Sequence, residues 1–173
     1  MRSYIAKGLF VLTLGSMVML AYGNRASAEP LDQRARLLGT WRVQVTLVDC
    51  QTGASLSPSA FPSLLTFALG GTMAEDTSNP GFGLGQRSAG QGEWHYKGGG
   101  AYEARSVAFI TYTTPANPVT HNPGFEAGEQ IIQQTIRFQN DRNAWSSTAE
   151  IVFTDATGTV YRSGCAVATA QRF

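Results

Sequence analysis

Gly39-Thr-Trp-Arg-Val-Gln-Val-Thr-Leu-Val-Asp-Cys50 alternates apolar and polar side chains along most of its length. Trp41, Val43, Val45 and Leu47 share one face, while Arg42, Gln44 and Thr46 share the other. Successive side chains of a strand point to opposite sides, so this period of two marks a strand with one buried face. The same alternation returns in Ile132, Ile136 and Phe138 against Gln133, Thr135 and Arg137. It returns again in Trp145, Ala149, Ile151 and Phe153 against Thr148 and Glu150. Clusters of Gly, Pro, Asn and Asp separate such runs and read as turns. Strands are expected over 39–50, 63–69, 71–76, 87–96, 101–113, 129–139, 144–154 and 159–172, the third with the weakest pattern.

The connections alternate in length. Gly70-Gly71, Lys97 to Gly100 and Asn140 to Asn143 are tight, whereas Gln51 to Pro62, Thr77 to Gln86 and Thr114 to Gly128 are long. Eight up-and-down antiparallel strands put these tight turns and both termini at one end, and leave the long loops, with only Asp155-Ala-Thr-Gly158 short, to frame an opposite mouth. Cys50 and Cys165 are the chain's two cysteines, and an isolated pair this far apart reads as a structural disulfide rather than a redox motif. Joining them predicts that the first and last strands are antiparallel neighbours, with Val43 opposite Arg172, as barrel closure requires. The expected fold is therefore an all-β, antiparallel up-and-down eight-stranded barrel. A β-sandwich with the bridge between its sheets is the alternative.

Upstream of the first strand, Arg2 and Lys7 precede an apolar run from Gly8 to Tyr22 and then Ala26-Ser27-Ala28, the three regions of a secretory signal. The uncharged run falls short of the roughly 20 residues a spanning helix needs. Residues 1–28 are expected to be a cleaved signal peptide and 29–173 a single barrel domain, exported and without a membrane span. The leader holds three of the 13 basic residues and none of the 12 acids, which leaves ten basic side chains against 12 acidic ones. Lys97 is then the one lysine. Such a balance gives no electrostatic footprint for nucleic acid.

Motifs for catalysis, metals and cofactors are missing. Gly81-Phe-Gly-Leu-Gly85 lacks the spacing of a phosphate loop and reads as rim loop. There is no nucleophile elbow after the leader, no H-E-x-x-H, no clustered His and Cys, and no acidic calcium loop. The imidazoles are His95 and His121. Glu93 shares a strand face with His95, but that face opposes Trp94 and Tyr96, so inward aromatics turn the pair toward water. One strand resists simple patterning. Tyr102, Ile110 and Tyr112 share a parity, and Glu103, Arg105, Val107 and Phe109 share the other. A bulge near Ser106 would reconcile them. An inward Arg105 would need a partner or an anionic ligand, an outward one only solvent, and Arg162 poses the same choice.

The opening Gly39-Thr40-Trp41, a preceding helical stretch from Pro30 to Leu38, and Arg172 ending the last strand resemble the calycin group of lipocalin-like and avidin-like barrels. The resemblance implies that Trp41 lies at the closed end with Arg172 packed across it. Leu38-Gly-Thr-Trp41, Thr66-Phe-Ala-Leu-Gly-Gly-Thr72, Gly90-x-Gly-x-Trp94 and Gly164-Cys165-Ala166 also resemble a set of small exported bacterial proteins, a likeness that carries no catalytic residue.

The functional expectation is a non-catalytic exported barrel that binds a small apolar molecule, without a cofactor. Its expected lining is Leu47, Leu65, Phe67, Ile110, Ile132 and Phe153, with Phe61, Phe82 and Phe125 from the rim, and Tyr112 and Arg105 as polar members. An isomerase or cyclase resembling the allene oxide cyclase or dirigent barrels is a second expectation, with Glu103, Arg105 and Tyr112 as its inward polar groups. A structural or interaction protein of the cell envelope is a third.

Overall fold

A computed structural model of the chain describes residue 33 and residues 35–56, 60–119, 122–138 and 142–173. The leader and His121 lie outside the described residues, as does part of the Asn140 to Asn143 turn. Eight strands follow in order: β1 Gly39–Val48, β2 Phe61–Phe67, β3 Thr72–Thr77, β4 Gly90–Gly98, β5 Ala101–Ile110, β6 Gly128–Phe138, β7 Ala144–Asp155 and β8 Val160–Arg172. Each pairs antiparallel with its neighbour in sequence, and β1 pairs with β8, which closes the barrel. The sandwich alternative is thereby excluded.

Closure occurs in a register two residues from the expected one. Trp41 faces Arg172, Val43 faces Ala170 and Val48 faces Cys165. Cys50 lies beyond the end of β1, in a turn where Asp49 Oδ1 accepts bonds from the N–H groups of Gln51 and Thr52. The disulfide therefore reaches back diagonally over a Cα–Cα distance of 5.2 Å instead of spanning a directly opposed pair. A slip of two keeps every side chain on its face, so the inward set of β1 is unchanged.

β5 departs further from expectation. Tyr102, Ala104, Ser106, Ala108 and Ile110 are all buried, so its facing never reverses and there is no bulge near Ser106. Register irregularities lie instead at Tyr96/Gly98 and at Phe153/Thr154. Arg105 points outward and is exposed, and Phe109 is 61% exposed beside it. The large outward Val107 and Phe109 had suggested a reversal. β4 runs close to β5 here: a Cβ at Gly92 would stand 1.8 Å from the Arg105 carbonyl oxygen, so only glycine fits at that position. β5 also stops at Ile110, short of 113, because Thr111 leaves the ladder to bond the carbonyls of Gly85 and Gln86. β2 starts earlier than expected, with Phe61 opposite Val45.

Aromatic side chains fill the closed end. Trp41 packs edge-on to Phe138 at 5.7 Å and against Trp145 at 5.9 Å, while Phe67 meets Trp94 at 6.1 Å and Tyr102 meets Tyr96 at 5.1 Å. Each such pair adds about 0.5–1.5 kcal/mol beyond its burial. The chain before β1 plugs this base. Trp41 Nε1 donates to the Leu37 carbonyl at 2.9 Å, and the Tyr102 hydroxyl donates to the Gln33 carbonyl. Arg172 lies over the Trp41 ring at 4.3 Å and donates to the carbonyls of Leu38 and Arg36.

Of the three buried tryptophans, Trp41 and Trp145 differ in one respect. Trp145 Nε1 has no hydrogen-bond partner, whereas Trp41 Nε1 is satisfied. Trp41→Phe is expected to cost about 2–4 kcal/mol, since it orphans the Leu37 carbonyl and weakens the cation–π contact. Trp145→Phe removes an unpaired donor along with ring volume, so about 1 kcal/mol or less is expected. Urea unfolding of both variants checks this, and equal losses would refute it.

Candidate functional site

Above the aromatic base the inward residues become small. Ala104, Ser106 and Ala108 on β5, Ser147 and Ala149 on β7, and Ala166 and Ala168 on β8 leave the interior underfilled. The result is a cavity of about 60 Å³ between the base and the mouth. Val43, Val45, Leu65 and Ile132 form its apolar wall, and Leu47, Phe61, Ile151 and Phe82 continue that wall toward the rim.

The mouth is stoppered by aromatic rings. Phe82 stacks on Phe125 at 4.4 Å, Phe125 meets Phe153 at 5.4 Å, and Phe153 meets Tyr161 at 6.1 Å. Phe82 belongs to the β3–β4 connection and Phe125 to the β5–β6 connection, which are clipped together. Buried Gln86 donates to the Tyr112 carbonyl and the Thr114 hydroxyl at 3.0 Å each, and accepts from the Gly83 N–H at 2.9 Å. Asn122 Nδ2 donates to the Gly81 carbonyl at 3.0 Å. Arg162 reaches in from β8, donates to the Pro123 and Gly124 carbonyls, and covers the Phe125 ring at 4.6 Å. Its charge is thus held at the rim by carbonyls and ring faces.

Leu47, Phe61, Leu65 and Ile132 are brought together in the cavity wall. Ile110 and Phe153 sit above it in the rim cluster. Phe67 is in the base, opposite Gly39 at the closed end, and does not reach the cavity, because β2 runs downward past it. Tyr112 is 42% exposed at the rim with its hydroxyl donated to the Leu84 carbonyl. Arg105 is on the outside, and Glu103 forms a surface ion pair with Lys97 at 3.0 Å. Glu93 and His95 are both exposed on the outer face of β4.

The polar groups inside are ones that the sequence pattern did not single out. Glu75 on β3 and Arg87 form a 3.0 Å ion pair with side chains 8% and 4% exposed. Arg87 also donates from Nε to the Gln130 side chain on β6 and from Nη1 to the Ser88 carbonyl. Glu75 Oε2 accepts from Ser106 Oγ at 2.9 Å. Gly90, opposite Glu75, leaves room for the carboxylate, since a Cβ there would lie 2.9 Å from Oε2. The signal was the parity of Glu75 with Met73, an inward apolar residue of the same strand.

Two half-buried rim carboxylates have distinct electrostatics. Thr52, through its N–H and then its hydroxyl, and the Gln51 N–H hold the Asp49 carboxyl below its ordinary value of 3.8. The Thr157 hydroxyl, then the Thr159 N–H, do the same for Asp155. These bonds favour the carboxylate. Their contribution to the turns is therefore present above the unfolded pKa of about 3.9 and is lost as pH falls through the lowered folded value. Carboxyl ¹³C titrations of both residues are expected to give midpoints below 3.8, and a midpoint at or above it would contradict the turn geometry.

Among the described residues no group of three or more His, Cys, Asp or Glu side chains is placed to hold a metal, and no helix is long and apolar enough to cross a membrane. No family model matches the chain, and no curated protein matches it.

Proposed function

We propose that this chain is an exported, non-catalytic binding barrel of the calycin type, which takes a small, mainly apolar molecule through its mouth. The observation that carries the reading is the apolar-walled cavity of about 60 Å³ beneath the Phe82–Phe125–Phe153 stopper. A barrel selected only for stability fills its interior, because empty apolar volume costs about 24 cal/mol per Å³. Here a run of Ala, Ser and Gly keeps the space open.

The cation–indole contact of Arg172 and Trp41 at the closed end supports the calycin reading. Export is supported by Arg2, Lys7, the apolar run and Ala26-Ser27-Ala28, together with the Cys50–Cys165 disulfide, which persists in oxidising compartments. The three side chains that a cyclase would use, Glu103, Arg105 and Tyr112, lie outside the cavity, which favours binding over catalysis.

The cavity is well below the roughly 300–1,000 Å³ of a drug-sized site. The ligand is therefore compact, or it is longer and displaces Phe82, a half-buried ring on a connection. Native mass spectrometry of the protein purified from its own cell envelope tests the reading. A retained small molecule, released when Phe82→Trp crowds the mouth, is the expected result. A retained protein partner, or a bare chain that also excludes xenon, would overturn it.

A further inference from the structure

The cavity floor carries two polar side chains that no described residue hydrogen-bonds. Gln134 on β6 is 8% exposed and Ser147 on β7 is 7% exposed, and both line the cavity. Neither side chain makes a hydrogen bond to a described residue, and their polar atoms are not sealed off, so they stay open to the cavity. The register pairs Ser147 with Ile136 and Gln134 with Ala149, so the two are diagonal neighbours on the inner face. Ile136 and Trp145, one step below, belong to the aromatic base. An amide and a hydroxyl are thus presented side by side at the bottom of a mainly apolar shaft that also carries Ser63, Glu75, Thr77, Asn79 and Gln130.

An apolar occupant that covered these groups would leave them unpaired, at about the cost of a lost hydrogen bond each. The polar residues higher in the barrel do not serve them. Glu75 is engaged by Arg87 and Ser106, and Gln130 by Arg87. Because Glu75 and Arg87 neutralise one another, the shaft carries no net charge for an ion to meet. Gln134 offers both a donor and an acceptor, and Ser147 offers either.

The geometry points to a ligand with a neutral, hydrogen-bonding end group, a hydroxyl or a carboxamide, which enters end-on and seats that group on Gln134 and Ser147. Its apolar body runs past Val45, Leu65 and Ile132 toward Phe82. This assignment rests on the binding reading above and specifies the chemical class that the site takes. A carboxylate is disfavoured, since neither floor residue is cationic and Arg87 is already paired with Glu75.

The test uses matched four-carbon probes and xenon on the disulfide-bonded protein, read by ¹H–¹⁵N NMR. Butanol and butyramide are expected to shift the Gln134 side-chain amide saturably, and butyrate at neutral pH is expected to leave it unmoved. Gln134→Leu, close to Gln in volume, is expected to weaken both neutral probes by at least about tenfold while changing xenon affinity less than about twofold. Ser147→Ala is the second variant, expected to act in the same direction if Gln134→Leu does not fold. Xenon uptake with equal butanol affinity in wild type and variants would overturn the end-group assignment and leave the binding reading standing. Exclusion of xenon and all probes by two waters fixed on Gln134 and Ser147 would overturn both.

Discussion

Glu75→Leu is expected to lower the stability of the barrel by about 3–5 kcal/mol, although it replaces a charge with an apolar side chain of similar size. The carboxylate itself is not the main loss. Removing it strands the Arg87 guanidinium inside the barrel wall, where its side chain is 4% exposed, and leaves Ser106 Oγ without its acceptor. Arg87→Met is expected to cost a similar amount from the other side, by stranding Glu75 and freeing the Gln130 side chain. Together the two substitutions remove both charges, and a buried ion pair replaced as a unit by apolar residues is often neutral or stabilising. Ser106 and Gln130 still lose partners, each at about 1–3 kcal/mol before any relaxation. The double variant is therefore expected to lie close to, or above, either single variant in stability, far from the sum of the two losses. Urea unfolding of the four proteins closes the cycle, and simple additivity would mean that the pair is hydrated and contributes no coupling.

The same pair explains why part of this interior could not be read from the sequence. Period-two patterning works where the inward residues are the large apolar ones, as with Trp41, Val43, Val45 and Leu47, and there strand and facing follow directly. On β3, β4 and β5 the large inward residues include Met73, Trp94, Tyr102 and Ile110, but the inward positions Glu75, Gly90, Gly92, Ala104, Ser106 and Ala108 are small or charged. Val107 and Phe109 on the outside then outweigh them, and a reversal of facing is inferred that does not exist. Arg87 is illegible for another reason. It precedes β4 on a connection whose path is set by Gln86, Thr111 and Asn122 bonding across loops, contacts between residues far apart in the chain. Closure itself was legible from turn lengths and the cysteine pair. The two-residue shift in register was not, because Cys50 lies past the ladder it was used to align. The candidate site was half legible: its apolar wall follows from parity, whereas Gln134 looked like any other polar residue on β6.

Replacing both Cys50 and Cys165 by Ser is expected to cost about 4–5 kcal/mol, the loop entropy restored to an unfolded chain once a bridge across 115 residues is removed. For a domain whose whole stability is about 5–15 kcal/mol, that loss brings unfolding within reach of ordinary temperatures. The location of the bridge adds a second expectation that an unfolded-state account alone does not give. At the closed end the β1–β8 seam is fastened independently, by Arg172 on the carbonyls of Leu38 and Arg36 and by the Phe173 N–H on Thr40. At the mouth end the ladder finishes at Val48 and Cys165, and the disulfide is its outermost fastening. Without it, amides around Leu47, Val48 and Ala166 are expected to exchange faster by local opening, while those around Trp41 and Ala170 slow or speed only with global stability. Hydrogen exchange resolved by residue separates the two contributions. A uniform change along the whole seam would assign the disulfide's effect to the unfolded chain alone, and a loss below about 1 kcal/mol would show that the closed sheet holds its mouth without the bridge.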